Sequence, residues 1–242
     1  DRRYRRGSER IKSMKRIIAI GGGEIREKTT LKIDEYIAGL AKEHAGDKRA
    51  NALFIPTASH DFMPYYNSFH KIYTGTFNIK TDVALTVFRE PDMEKLKEKF
   101  LKADLIYVGG GDTVFMMDHW KQSGLLSLIE EAYERGVVLA GLSAGAICWF
   151  SDIYTDSLKS EDGTKYAMFK GLNWIKGIIS PHYGQRMLDF DKIVCYNYKC
   201  AYGIEDNAAL LIEEGEVIGS ISSGGKAYRI VNTDGVLEKR EL

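Results

Sequence analysis

The stretch Gly136-Val-Val-Leu-Ala-Gly-Leu-Ser-Ala-Gly-Ala146 decides how this chain is built. Its apolar residues run unbroken from Val137 to Ala140, the mark of a strand buried on both faces. The run ends in Gly141-Leu142-Ser143-Ala144-Gly145, a G-x-S-x-G pattern, and AICWF beyond it reads as the start of a helix. A strand that turns abruptly into a helix holds the middle residue in strained geometry. Small neighbours let the chain fold back closely. The pentapeptide alone is a weak signal, because glycine and serine are common. Its flanking strand and helix give it weight against a chemically silent turn.

Working outward, the same unit recurs. KRIIAI (15–20) ends in Gly21, Gly22 and Gly23, and Leu31, Ile33, Ile37 and Leu40 then repeat at helical spacing. NALFIPTAS (51–59) is a second strand stopped by Pro56, followed by an aromatic-rich helix over 63–76. TDVALTVF (81–88) is a third strand and MEKLKEKFLKA (93–103) an amphipathic helix. DLIYVGGGDT (104–113) is a strand ending in glycines, with helices through Val114–Trp120 and over 124–135. Such alternation predicts an α/β fold: a mostly parallel, doubly covered sheet of the flavodoxin-like kind. Ligands bind such sheets at the carboxyl ends of the strands, where every glycine-rich loop here falls. The tail changes character, with hairpins turning at Glu214-Gly215 and Asp234-Gly235 that are expected to extend one sheet edge.

Composition sets the outer bounds. With 242 residues, 44% hydrophobic and 28% charged, residues 14–242 read as one α/β domain. Residues 1–13 carry six basic and two acidic side chains, net +4, and lack an apolar signal core. They read as a non-native or disordered leader. The overall formal charge of zero gives no electrostatic case for nucleic-acid binding. No apolar stretch approaches the ~20 residues of a membrane span. Cys148, Cys195 and Cys200 have neither zinc-ligand nor redox spacing and read as reduced thiols, pointing to the cytoplasm. A monomer or homodimer acting without nucleic-acid or membrane partners is expected.

A nucleophilic serine needs a base, and there are five histidines to choose from. His44, His70 and His119 lie on predicted helices, and His60 follows the second strand. His182 opens the loop after the strand GIIS (177–180), at the sheet edge where Ser143 falls. A base of this kind is oriented by a carboxylate, for which Glu205 and Asp206 are adjacent candidates. Neighbours on extended backbone point opposite ways, so at most one faces His182. The chain order Ser, His, acid matches neither the α/β-hydrolases nor chymotrypsin nor subtilisin. The Ala144 N–H is the first candidate oxyanion donor, and Gly109–Thr113 on the neighbouring strand is positioned to offer a second. A phosphate loop lacks support, since there is no GxxxxGK[ST] and Gly21–Gly23 lacks GxGxxG spacing.

IPTAS (55–59), YVGGGDT (107–113), GLSAGA (141–146), SPH with a following Gln-Arg (180–186) and GIEDNAAL (203–210) appear in order over most of the chain after Met14. Together they resemble the dipeptidase E and cyanophycinase family of serine peptidases, which have the class I glutamine amidotransferase-like fold. The resemblance implies Ser143 as nucleophile, His182 as general base, and Gly111 and Ala144 as oxyanion donors. It sets Asp206 at the acidic position, with Glu205 the alternative. It also marks Gln185 and Arg186 as substrate-binding residues, Arg186 as a planar carboxylate partner.

The implied substrate is a small aspartyl peptide cleaved after an N-terminal aspartate, with no metal or organic cofactor. The rivals are a cyanophycinase-like or other amide or ester hydrolase on the same site, and a catalytically silent binding module. A glutamine amidotransferase is disfavoured, because serine stands where that chemistry uses cysteine. Residues 151–176 are a candidate lid.

Overall fold

Strand β1, Arg16–Ile20, has no wet face: Ile17 to Ile20 are all buried. It lies in a computed structural model that describes residues 14–157 and 166–242. Alternate side chains enter two separate cores, Ile17 and Ala19 in one, Ile18 and Ile20 in the other. Helix α1, Leu31–Ala45, lays Ile33, Ile37 and Ala41 on the second core. The units β2 (Asn51–Ile55), α2 (Met63–Gly75), β3 (Lys80–Val83), α3 (Met93–Lys102) and β4 (Leu105–Val108) follow. Next come α4 (Thr113–Ser123), α5 (Leu125–Glu134) and β5 (Val138–Leu142). Aspartates start two of these helices: Asp92 accepts the N–H groups of Glu94 and Lys95 at α3, and Asp112 that of Phe115 at α4.

The predicted strand over 81–88 is shorter than its apolar pattern. Beyond Val83 the backbone leaves the ladder, and the buried Asp61 carboxylate takes the N–H groups of Thr86 and Val87. The helix after the turn at Ser143 is also short. It is one turn, α6 (Ala144–Ile147), and the chain re-enters a strand at Phe150.

The second half adds β6 (Phe150–Thr155), β7 (Ala167–Lys170), β8 (Ile175–Ser180), α7 (Tyr183–Asn197) and β9 (Cys200–Ile204). Two hairpins close the chain, β10 (Ala208–Glu213) with β11 (Glu216–Ser222) and β12 (Ala227–Thr233) with β13 (Val236–Glu241). Both turn residues of each hairpin have positive φ, 49° and 84° at Glu214 and Gly215, 51° and 88° at Asp234 and Gly235. That conformation matches the twist of the strands it joins.

The strands form two sheets, ordered β11-β10-β1-β5-β4-β2-β3 and β13-β12-β9-β8-β6-β7. Within the first, β1, β5, β4, β2 and β3 pair in parallel. The mostly parallel α/β class therefore stands, but the hairpins do not share one edge. β10 pairs with β1, whereas β12 pairs with β9 in the second sheet. Helices α1 and α2 cover one face of the first sheet; α3 to α6 and the inner face of the second sheet cover the other. Helix α7 packs Phe190 and Val194 on the outer face of the second sheet, against Tyr154, Ile178 and Ala201.

Of the candidate lid, β6 and β7 are paired strands of the second sheet, and residues 158–165 lie outside the described residues. The leader over 1–13 lies outside them as well. No helix of the described residues is long and apolar enough to cross a membrane.

Candidate active site

Ser143 sits where β5 stops and α6 starts, with φ 54° and ψ −105°. A non-glycine residue pays roughly 1–3 kcal/mol for such a conformation, and the surroundings must impose it. They do. Its N–H donates to the Ile20 carbonyl of β1 at 2.8 Å. A Cβ on Gly141 would fall 2.2 Å from the Gly145 carbonyl oxygen, and one on Gly145 would fall 2.2 Å from that of Val108. Both glycines of the pentapeptide are therefore required by close backbone packing.

His182 follows β8 and caps α7 in the left-handed conformation, φ 48°. Its N–H donates to the Gly21 carbonyl at 3.0 Å, which ties the loop to the end of β1. The ring bridges two partners. Ser143 Oγ lies 3.1 Å from Nε2, and Asp206 Oδ1 lies 2.5 Å from Nδ1. The carboxylate can only accept, so Nδ1–H donates to it and Nε2 is left to accept from the serine hydroxyl. Glu205 points elsewhere, its Oε2 accepting the Lys226 N–H at 2.9 Å. Of the two adjacent acids, Asp206 is the one that reaches the imidazole.

The glycine run at the end of β1, dismissed as a phosphate loop, is the floor beneath this pair. A Cβ on Gly22 would fall 2.0 Å from Asp206 Oδ1 and 2.5 Å from His182 Nδ1. The Gly22 carbonyl also accepts the Asn207 N–H at 3.0 Å, fixing the residue after the acid. The signal for it was available in principle: three glycines at the carboxyl end of a strand adjacent to the one that carries the serine.

Gly110 and Gly111 close the other side. Gly111 has φ 142°, and a Cβ there would strike the Ala58 carbonyl oxygen at 2.2 Å. Among the described residues its N–H has no protein acceptor. The Ala144 N–H stands in the first turn of α6, ahead of the first intrahelical donor, Ala146 to Ser143. Two uncommitted backbone donors therefore flank the serine.

Ser143, His182, Gly111, Tyr65, Arg186 and Asp156 are among the residues lining a cleft of about 540 Å³. Arg186 is 6% exposed. It donates to the Tyr154 carbonyl at 3.2 Å, stacks on the Tyr166 ring at 4.4 Å, and lies 3.6 Å from Asp156. Its Nε is buried with no acceptor among the described residues. Gln185 does not join it. It is exposed on α7, and the bond it makes is from its N–H to the His182 carbonyl.

The remaining histidines have partners elsewhere. His44 pairs with Asp104, His70 with Thr81 and His119 with Thr86, while the His60 ring lies tilted against Phe115 at 4.1 Å. Cys148 is wholly buried, away from any solvent-accessible substrate, and burial pushes its thiol well above the usual range.

The sequence model of peptidase family S51 covers residues 17–219. The uncharacterized peptidase YgaJ of Bacillus subtilis (strain 168) is 34% identical over 225 residues, spanning 90% of this chain and 93% of that one. A crystal structure of a peptidase from an acI-B1 actinobacterium superposes with a TM-score of 0.72 at 19% identity, covering 96% and 95% of the two chains. A putative peptidase E from Listeria monocytogenes EGD-e gives 0.61 at 20% identity, covering 87% and 99%. At these identities the two structures speak for the fold alone.

Proposed function

We propose a specific activity for this chain, which belongs to peptidase family S51 and is a serine-type peptidase: it hydrolyses the bond after an N-terminal aspartate in small peptides. The observation that carries the reading is the relay from Ser143 Oγ through His182 to Asp206, at 3.1 and 2.5 Å, opening into the cleft that holds Arg186.

In this mechanism Ser143 Oγ attacks the carbonyl carbon while its proton passes to His182 Nε2. Asp206 holds the ring in the required tautomer and stabilises the imidazolium. The Gly111 and Ala144 N–H groups receive the developing oxyanion. His182 then protonates the leaving amine, which departs and leaves an ester on Ser143. Water enters, gives a proton to the same nitrogen and attacks the ester; as the acid departs, His182 Nε2 passes that proton back to Ser143 Oγ.

The aspartyl preference is supported by Arg186. Its guanidinium is nearly inaccessible to bulk water, has no acceptor for Nε among the described residues, and offers the planar donor geometry that suits a carboxylate. Asp156, its present ion-pair partner, is 53% exposed at 3.6 Å and is readily exchanged for a substrate carboxylate.

The test is hydrolysis of Asp-X, Glu-X, Ala-X and β-Asp-Arg dipeptides by wild type and three variants. Cleavage confined to Asp-X, lost in Ser143→Ala and Asp206→Asn and kept in Glu205→Gln, is the expected result. Turnover of Asp-X by Ser143→Ala would refute the mechanism. Preference for β-Asp-Arg would move the substrate to the cyanophycinase type.

A further inference from the structure

The carboxyl end of β4 runs into three glycines, and the ring of Tyr65 from α2 packs on the first of them. A Cβ on Gly109 would fall 2.7 Å from Tyr65 Cε1. Phe54 of β2 meets the same ring edge-on, with centroids 5.0 Å apart. Held this way, the Tyr65 hydroxyl accepts the Gly110 N–H at 3.1 Å. The Gly110 peptide in turn lies against the nucleophile: a Cβ there would sit 3.1 Å from the Leu142 carbonyl oxygen and 3.4 Å from Ser143 Cβ. The next amide along is that of Gly111.

We propose that Tyr65 is a positioning residue for the oxyanion loop, its hydroxyl fixing the Gly110 amide and thereby the direction of the Gly111 N–H. The inference rests on the acyl-transfer reading above. A backbone donor helps the transition state only when it is aimed beforehand, because aiming it during the reaction costs reorganisation. Gly110 and Gly111 have no side chains with which to lock their own peptide planes, and glycine has the widest choice of backbone angles. Order in this loop must come from a neighbour.

The sequence suits Tyr65 to that task. Its ring is wedged between Gly109 and Phe54, so the oxygen is delivered from a rigid support. Burial pushes its hydroxyl up to about 12, so it stays neutral and adds no anion beside a developing oxyanion. With Gly110 occupying an acceptor site, the hydroxyl proton remains for a second bond at the cleft wall that Tyr65 also lines.

Tyr65→Phe keeps the ring and removes only the oxygen. In the full chain, kcat and KM would be measured on an aspartyl dipeptide. The dissociation constant of the same dipeptide would be measured in the Ser143→Ala background with and without Tyr65→Phe, and thermal unfolding recorded for each. The expected result is a kcat lower by about tenfold to a hundredfold, below the ~10²–10³ typical of deleting an oxyanion donor outright. KM, the dissociation constant and the unfolding midpoint should stay near those of the parent.

An unchanged kcat overturns the proposal. So does a loss that appears equally in binding, or one that tracks a fall in the folded fraction, since either marks a structural role. If Ser143→Ala itself hydrolyses the dipeptide, the acyl-transfer reading fails and the positioning role falls with it. If Ser143→Ala is dead and Tyr65→Phe is fully active, only the positioning role is lost.

Discussion

Replacing Gly22 by alanine tests whether the glycine run at the end of β1 is the seat of the His182–Asp206 pair. The added methyl would lie 2.0 Å from Asp206 Oδ1 and 2.5 Å from His182 Nδ1, short of ordinary contact by about 1.4 and 0.9 Å. Gly22 is not at positive φ, so the backbone tolerates alanine and the nearest conflicts are with these two side chains. Moving either partner by an ångström stretches a 2.5 Å bond beyond useful hydrogen-bond length. In the proposed mechanism Asp206 is the acid of a serine triad, whose disorientation costs up to ~10⁴ in kcat, so a fall of about 10³–10⁴ is expected. Overpacking of this size costs roughly 1–3 kcal/mol of stability.

The assay is aspartyl-dipeptide hydrolysis, run beside urea unfolding and beside Asp206→Ala alone and in combination. If the methyl acts by displacing Asp206, the double variant should be no worse than Gly22→Ala. A Gly22→Ala protein with wild-type kcat would refute the reasoning. So would a double variant whose losses simply multiply, because independent effects mean that the methyl does not act through the acid.

Two further outcomes follow from other parts of the molecule. Arg186→Met keeps the apolar stem but removes the guanidinium, and a charge-assisted bond is worth about 1.5–3 kcal/mol. The aspartyl-over-alanyl ratio of kcat/KM should therefore fall by roughly tenfold or more; an unchanged ratio would remove Arg186 from substrate selection. Asp34 is 1% exposed on α1, accepts from Thr30 and Tyr73 at 2.7 and 2.8 Å, and is pushed by burial from 3.8 up to about 6. Because the folded state holds this proton more tightly, the contribution is full below pH ~4 and disappears as pH rises through about 6. On the order of 3 kcal/mol is lost across that window. Urea unfolding from pH 4 to 7.5 should show this decline in wild type relative to Asp34→Asn, and parallel profiles would exclude it.

Much of the architecture was readable in advance because it rests on short-range rules. Unbroken apolar runs such as Leu105–Val108 identify strands covered on both faces, and the spacing of Leu96 and Phe100 identifies a helix with one inner face. The hairpin turns at Glu214-Gly215 and Asp234-Gly235 are marked by their glycines, which take positive φ without strain. Where the reading overran, a tertiary partner was responsible. The strand predicted to reach Phe88 is cut short as Asp61, 25 residues earlier than Thr86, claims its backbone. The second hairpin joins a second sheet because its partner is β9, and nothing local to the hairpin states that.

The site divides in the same way. Sequence by itself determined Ser143 as the residue at the strained turn, His182 as the histidine at the matching sheet edge, and the pair Glu205-Asp206 as the only acids in question. Backbone alternation limits the choice to one of the two but cannot say which face looks inward, since that depends on the register of β9 against β8 and β12. Tertiary structure chose Asp206, gave Glu205 to Lys226, turned Arg186 inward and Gln185 outward on one helix, and set Gly22 beneath the pair. Its deciding contacts join residues 39 and 24 positions apart, Ser143 with His182 and His182 with Asp206. Local propensity acts over a few residues; distances of this kind exist only once the sheets have paired and the loops at their carboxyl ends have met.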